Sequence, residues 1–333
     1  MAGGKGAGPA AVSRLRIASF NLENLDDGPD LEARIAVLRP QLVRLAADIL
    51  CLQEVNAQLT ARHRPRALAA LDRLLADTPY AAYERAVSGG AGSGGPVDHH
   101  NLVLLSRLPI AARRDVRHAL VPPLAYRAIT AEAAEAALSL SWDRPVLYAA
   151  AVLPSGRRLH LLDLHLKAPL AVAIPGQRGP EGHWRSSRGW AEGFFLAAMK
   201  RAGQALEARL LVESLFDAEP EALIVAAGDF NAEHGETPVR ILLGGGDIPG
   251  ADPKRVLVAL DEAIPAERRY SVLHAGRPAM LDHILVSPAL AGAAQRVELL
   301  NESLYDEELD PAAGRPSAGS YHAPLVAELA LEA

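Results

Sequence analysis

Four polar groups stand at the ends of apolar runs in this chain. Asn21 closes "RIASFN", Glu54 follows "DILCLQ", His165 closes "LHLLDLH", and Asp229 with Asn231 follows "LIVAAG". In an α/β sheet the strand ends form the rim where ligands bind, so such residues can converge on one crevice. A carboxylate directly after a buried run is costly unless it meets a cation or hydrogen-bond donors. Glu54 therefore reads either as a rim salt bridge or helix cap, or as a ligand for a hard divalent cation such as Mg²⁺. That ion takes carboxylate oxygens and keeps several waters, so one or two protein carboxylates suffice. In "GDFNAEHGETP" Gly228 permits a tight turn off the strand, Asp229 and Asn231 can then both face the crevice, and "GETP" has the form of a helix start. Gly-Asp-x-Asn alone is also an ordinary turn; its place after "LIVAA" favours a site. His322, in "SAGSYHAPLVAEL", taken alone is a strand-edge histidine.

The elements that must position these groups are read from periodicity. Apolar runs predict strands over 15–20, 48–53, 101–106, 146–153, 158–166, 222–228, 281–287 and 323–331, several of them apolar on both faces and so central. Helical spacing covers Leu31, Ile35, Leu38, Leu42 and Leu45, with Pro40 predicting a kinked or short-started helix, and recurs at Leu68, Leu71, Leu74 and Leu75. A longer helix is predicted over 187–217, with Trp190, Phe194, Ala198, Leu206, Leu210 and Leu211 as a core stripe. The turn "LPSGRR" suits an antiparallel hairpin, so the sheet is mixed. Strands alternating with helices make the fold α/β. Gly- and Pro-rich stretches at 88–97, 170–186 and 244–253 are loops. No repeat or linker divides the chain, which reads as a disordered leader over 1–13 and a single domain over 14–333.

With 333 residues, half of them hydrophobic, the chain can bury a large core. A net charge of −6 argues against nucleic-acid binding by bulk electrostatics and leaves only a local basic groove. Cys51, the single cysteine, can form no intramolecular disulfide and reads as a buried, inert thiol in a reducing compartment. Neither a signal-peptide core nor a membrane span is predicted, which reads as a cytoplasmic protein with no obligate protein partner evident.

In order, "IASFNLENL", "DILCLQEVN", "NLVLLSRLPI", "HLLDLHLKAP", "VAAGDFNAE", "LDHILVS" and "SYHAPLVAEL" resemble the motifs of the endonuclease/exonuclease/phosphatase superfamily, over residues 15–330. Deoxyribonucleases, apurinic endonucleases, sphingomyelinases and inositol polyphosphate 5-phosphatases belong to it. The resemblance implies a four-layer α/β sandwich, two mixed β-sheets packed face to face with helices on both outer faces. It implies Mg²⁺, with Mn²⁺ as a substitute, held by Glu54 with Asn21 supporting metal or phosphate. It makes His165 a phosphate-oxygen donor, Asp229 and Asn231 the pair orienting water and phosphorane, and Asp282 the partner of His322. Either His322 or Asp229 is then the base, the Asp282–His322 pair being preferred. Lys167, on the strand face of His165, either contacts phosphate or makes a surface ion pair. The implied activity is in-line hydrolysis of a phosphodiester by a nuclease-like enzyme, whose partner is the phosphoester substrate, nucleic acid included. The alternatives are an enzyme on a small or lipid phosphoester, or a non-catalytic binding protein with the same fold. One position departs from the pattern: members usually carry Asp where this chain has Tyr321. His99 and His100, which could reach the rim, read as solvent-exposed, Arg185 and Arg188 as solvated, and Glu233 and His234 as helix-start residues. The loops at 88–100 and 167–187, which leave strands at the proposed rim, are expected to set specificity.

Overall fold

The computed structural model describes residues 12–59, 65–90, 95–131, 137–245, 249–250, 252–306, 308 and 318–332. The strands, in chain order, are β1 (Val12–Leu25), β2 (Ile49–Val55), β3 (Glu84–Val87), β4 (Asn101–Ser106), β5 (Ile110–Val116), β6 (Leu124–Arg127), β7 (Ala137–Leu140) and β8 (Val146–Val152). They continue as β9 (Arg158–His165), β10 (Leu223–Asp229), β11 (Val258–Ala259), β12 (Val272–His274), β13 (Arg277–Ala279), β14 (Asp282–Val286), β15 (Ala294–Leu299) and β16 (Leu325–Glu332). The helices are α1 (Leu31–Leu45), α2 (Ala69–Leu75), α3 (Ser187–Ala218), α4 (Thr237–Leu243) and α5 (Pro288–Ala291).

Two six-stranded sheets dominate. The first runs β15-β16-β1-β2-β4-β3 and the second β11-β14-β10-β9-β8-β5. β1 and β2 are parallel, as are β9 and β10, while their outer neighbours are antiparallel, so both sheets are mixed. The hairpin expected at "LPSGRR" is the antiparallel pair β8–β9. Between the sheets lies a dry layer of Ile17, Ile49, Leu104 and Cys51 against Ala149, Leu161, Val225 and Ile284. Cys51 is buried there and burial holds its thiol well above the usual range, as expected of an inert cysteine. α1 and α2 cover the outer face of the first sheet and α3 and α4 that of the second. The four layers of the sandwich follow from these clusters.

α1 is continuous from Leu31 to Leu45 with Pro40 inside it. The stripe expected on α3 holds at Leu211 but is overturned at four positions: Trp190, Phe194, Leu206 and Leu210 are between 37% and 46% exposed. The face that packs on the sheet instead carries Ala205, Ala208, Leu211, Val212, Leu215 and Phe216. Along its first half α3 approaches its surroundings too closely for bulk; a Cβ at Gly203 would lie 2.2 Å from the Trp142 ring. Trp190 and Phe194 stack on each other in solvent, one helical turn apart. Residues 1–11 of the predicted leader, 91–94 of the first Gly-rich loop, and 246–248 and 251 of the last lie outside the described residues.

Candidate active site

The two parallel strand pairs end side by side, and the polar groups noted in the sequence gather there. On the first sheet the β1–β2 ladder slips after Asn21↔Gln53, and Glu54 takes a left-handed backbone (φ 58°) within that irregularity. The slip turns the Glu54 side chain toward β1. Asn21, fully buried, donates from Nδ2 to Glu54 Oε1 at 3.2 Å and to Asp229 Oδ2 at 3.1 Å. Its Oδ1 accepts the Glu23 N–H. The Asn24 N–H donates to Glu54 Oε2 at 3.0 Å.

On the second sheet Asp229 pairs in register with both His165 of β9 and Asp282 of β14. Three polar side chains are thereby set in a row across the sheet end. His165 Nε2 lies 3.4 Å from Asp229 Oδ2 and 3.6 Å from Glu54 Oε1. Asn231, also left-handed (φ 48°), closes the turn by donating its N–H to Asp229 Oδ1 and its Nδ2 to Asp229 Oδ2 and the Leu166 carbonyl. His322, in the turn before β16, contacts Asp282 Oδ2 through Nδ1 at 2.8 Å. Its Nε2 faces Asp229 Oδ2 at 3.9 Å. The turn is tied to β1 because Ser320 Oγ donates to the Asn21 carbonyl and accepts the His322 N–H.

Burial and charge set the protonation states. Desolvation raises Asp229 to about 6, opposed chiefly by His322. Desolvation would lower His322, but the carboxylates of Asp282 and Asp229 outweigh it and push the imidazole up to about 10. Desolvation, then the neighbouring Arg144 and His100, hold His165 well below the usual range, so this ring is neutral. Glu23 is raised to about 7 by burial. The site without a cation thus holds a crowd of acids around one imidazolium.

Among the described residues, two groups of side chains offer ligand atoms within 4.8 Å of one another: Glu54, His165 and Asp229, and Asp229, Asp282 and His322. The first mixes two carboxylates with a neutral imidazole, a donor set that suits a divalent cation. Two buried atoms beside it, His165 Nδ1 and Asp282 Oδ1, have no hydrogen-bond partner. The residues present therefore fit a metal-dependent centre.

Lys167 lies at the edge of this cluster, with its ammonium 3.7 Å from Asp143, a carboxylate that also takes the Lys200 ammonium. His99 is exposed, as expected, but His100 reaches the site. Its Nε2 is 3.8 Å from Glu54 Oε2 and its Nδ1 accepts from Arg144 Nη2 at 3.0 Å. Register could have found it: Val55 pairs with Asn101, so the start of β4 must lie beside the end of β2. Arg144, just ahead of β8, carried no such signal. Its Nη1 donates weakly to the His165 and Leu166 carbonyls, its Nε is buried without a partner, and no carboxylate among the described residues forms a direct ion pair with it. Desolvation lowers the guanidinium, opposed by Glu54, Asp143 and Asp229. Arg185 and Arg188 are exposed, as expected, and His234 pairs with Glu262 at 3.4 Å.

The sequence from residue 18 to 322 matches the model of the Endonuclease/Exonuclease/phosphatase family. The chain belongs to that family. Its members are phosphoester hydrolases that depend on divalent metals. No curated protein sequence matches the chain. Solved structures share its fold at low identity. An endonuclease/exonuclease/phosphatase family protein from Bacteroides thetaiotaomicron is 16% identical with a TM-score of 0.59, the match covering 97% of this chain and all of that one. Truncated TDP2 from Caenorhabditis elegans is 15% identical, TM-score 0.56, over 96% and 98% of the two chains. The 3′ phosphatase NExo from Neisseria, bound to a product DNA hairpin, is 18% identical, TM-score 0.52, over 95% and 99%. Among the described residues no helix is long and apolar enough to cross a membrane.

Proposed function

We propose that the protein is a Mg²⁺-dependent, nuclease-like phosphodiesterase in which water attacks phosphorus in line, without a covalent enzyme intermediate. The observation that carries this reading is the meeting of Glu54, His165, Asp229 and the Asp282–His322 pair at one end of both sheets, beside a half-buried arginine that pairs with no carboxylate among the described residues. A phosphodiester resists hydrolysis because its charge repels the nucleophile and grows on oxygen in the transition state. Glu54 and Asp229 would hold the Mg²⁺, whose charge would neutralise phosphoryl oxygens and lower the cost of that state.

The remaining work falls to side chains. Arg144 offers its half-buried guanidinium, which no carboxylate among the described residues pairs directly, to a phosphoryl oxygen. Neutral His165 donates to a second oxygen, Lys167 supports the charge from the edge, and Asn21 and Asn231 fix the carboxylates through the hydrogen bonds they already make. Asp282 accepts from His322 Nδ1, which leaves Nε2 to take the proton of the attacking water as the P–O bond to the leaving group breaks. Asp282 first, then Asp229 and Glu54, hold His322 cationic; neutralising the latter two would loosen that hold and ease its action as a base. The nuclease-like preference draws support from neighbours of the same fold, one of which was solved on DNA.

The test is hydrolysis of plasmid DNA, abasic duplex, RNA, bis-p-nitrophenyl phosphate and sphingomyelin with Mg²⁺ or Mn²⁺, with Glu54→Ala and His322→Ala as controls. Metal-dependent cleavage lost in both variants is the expected result. Cleavage of the lipid or small diester alone would refute the nuclease preference, and no cleavage of any ester would refute the enzyme reading.

A further inference from the structure

The loop after β9 and the first half of α3 carry a surface that the chemistry at the strand ends does not use. Arg201 Nη1 donates to the Lys167 carbonyl and the Val172 N–H donates to the Gly193 carbonyl, so residues 167–172 run back along α3 from the edge of the active site. At about 100° of turn per residue, positions 190, 194 and 201 fall within about 40° of one another. One flank of the helix therefore joins Arg201 to Phe194 and Trp190, over about 16 Å at about 1.5 Å of rise per residue. Trp190 and Phe194 lie face to face on it, ring centroids 5.4 Å apart and planes 23° from parallel, and both are exposed. Leu170, on the segment that runs alongside, is 68% exposed. A third ring stands next to them: Trp184 packs where Gly193 has no side chain, and the Arg178 guanidinium lies over that ring, 4.5 Å from its centroid.

Charge decides what such a surface takes. Between residues 167 and 201 the chain has six lysines and arginines and two acids, although its net charge as a whole is −6. Both acids are engaged elsewhere. Glu181 lies 3.7 Å from His183, and buried Glu192, on the opposite flank of α3, accepts from the Tyr126 hydroxyl and from the N–H groups of Ile129 and Thr130. Arg178, Arg185 and Arg188 are exposed, and no carboxylate among the described residues pairs with them. A partner that brings flat rings and negative charge together suits this combination, and an unpaired nucleotide strand does so. We propose that Trp190 and Phe194 form a stacking platform for the unpaired bases of a single-stranded nucleic acid whose backbone continues past Arg201 and Lys167 to the strand-end site. The inference rests on the phosphodiesterase reading given above and names its substrate class. A strand with stacked bases advances about 3.4 Å per nucleotide, so about five nucleotides cover the distance from Arg201 to Trp190. In a duplex each base face is already covered by its neighbours, so the platform favours unpaired strands.

The experiment measures, by fluorescence anisotropy in EDTA, binding of a labelled oligothymidylate of about twelve nucleotides and of a duplex of the same length. Wild type is compared with Trp190→Phe, Trp190→Leu, and Trp190→Ala combined with Phe194→Ala, the melting temperature of each confirming a folded chain. Wild type and Trp190→Phe should bind the single strand more tightly than the duplex. Trp190→Leu, which keeps an apolar group but no ring face, should weaken single-strand binding by about fivefold or more, and the double variant by more still, as expected for each stacked base lost. Hydrolysis of bis-p-nitrophenyl phosphate with Mn²⁺, a substrate too short to reach α3, should stay within about twofold of wild type in every variant. Trp190→Leu binding the single strand as wild type does, or wild type binding duplex equally well, overturns the proposal. So do two other outcomes: phosphatidylserine vesicles bound by wild type and Trp190→Leu alike, which would make the surface a lipid contact, and a dimer in sedimentation that the double variant dissolves, which would make it a contact with a second copy. Wild-type protein that cleaves no ester refutes the phosphodiesterase reading itself, an outcome read separately from binding in EDTA.

Discussion

Replacing Gly228 with alanine tests how the fold sets the spacing of the site. Gly228 pairs with Leu164 across the parallel β9–β10 ladder, one residue before Asp229 pairs with His165. Its φ is +143°, and a Cβ there would lie 1.9 Å from the Leu164 carbonyl oxygen and 2.8 and 2.9 Å from its carbon and nitrogen. An ordinary carbon–oxygen contact needs about 3.3 Å, so the strands must part locally by roughly 1 Å or more. All the clashing atoms are backbone of a buried strand and cannot swing away. Left-handed strain costs about 1–2 kcal/mol and forced overpacking about 1–3 kcal/mol, so a loss of about 2–5 kcal/mol is expected. Moving Asp229 by about 1 Å relative to His165 should lower kcat on the order of 100-fold. Gly156→Ala is the control, because Gly156 also has positive φ (+82°) but nothing lies within 4 Å of its added Cβ. It should cost only about 1 kcal/mol and leave turnover unchanged. The two variants are compared by chemical denaturation and by diester hydrolysis with Mn²⁺. If Gly228→Ala unfolds at the same denaturant concentration as Gly156→Ala and turns over normally, the close approach of β9 and β10 is not what sets the site.

Further outcomes follow from the same geometry. Asp282→Asn keeps the shape of the His322 contact but removes its charge, so kcat should fall by about 10²–10⁴, and the His322 titration followed by NMR should move down from about 10. Arg144→Ala should lower kcat/KM by more than about tenfold, and Arg144→Lys should not restore it, because an ammonium lacks the planar fork. His322, Glu23 and Asp229 are all raised, to about 10, 7 and 6. Their stabilising contribution is complete below their unfolded values of about 6.5 for histidine and about 4 for the acids, and is lost as pH climbs through the folded ones. Metal-free protein should therefore melt progressively lower from pH 5 to 9, while Mn²⁺ should raise the melting temperature more at the higher pH. Glu207 is buried and accepts from the backbone of His118 and Leu120 and from Trp142 Nε1 at 2.7 Å. Glu207→Ala should cost about 2–3 kcal/mol by leaving those donors unpaired, with catalysis retained in the folded fraction.

The strands that were legible in the sequence are those buried on both faces. β4 and β10 are apolar at nearly every position because helices or a second sheet cover each side, so burial alone marks them. The unread strands lie mostly at edges. β5 carries Arg113, Arg114 and Asp115 in solvent, and β15 carries Gln295 and Arg296, so neither has an apolar run to find. The exposed aromatics of α3 misled for the converse reason: Trp190 and Phe194 have helical spacing, but Gly189 and Gly193 occupy the inward positions, where close contacts leave no room for larger residues. At the site, residues that end strands could be named one by one. Arg144 and Glu23 could not, because their meaning lies in what they touch across 44 and 298 positions of chain, and the Arg144–His100 link crosses from one sheet to the other.

Glu54 and His165 belong to different sheets, so their 3.6 Å separation depends on how the sheets are held together. An apolar layer resists separation but slides easily, since dispersion is not directional. One polar contact within the layer removes that freedom. Gln53 Nε2 donates to Asp163 Oδ1 at 2.7 Å, both side chains being fully buried. Gln53 precedes Glu54 on β2, and Asp163 lies two residues before His165 on β9, facing the same way. Burial raises the Asp163 carboxyl well above its usual range, so it sits between the sheets as a neutral acid and no unpaired charge destabilises the layer. A hydrogen bond costs more to break than it contributes when made, so any slip of one sheet on the other strands a buried amide and a buried acid together. The pin stands one residue from Glu54 on one sheet and two from His165 on the other, where a directional constraint has the greatest effect on the distance between those two groups.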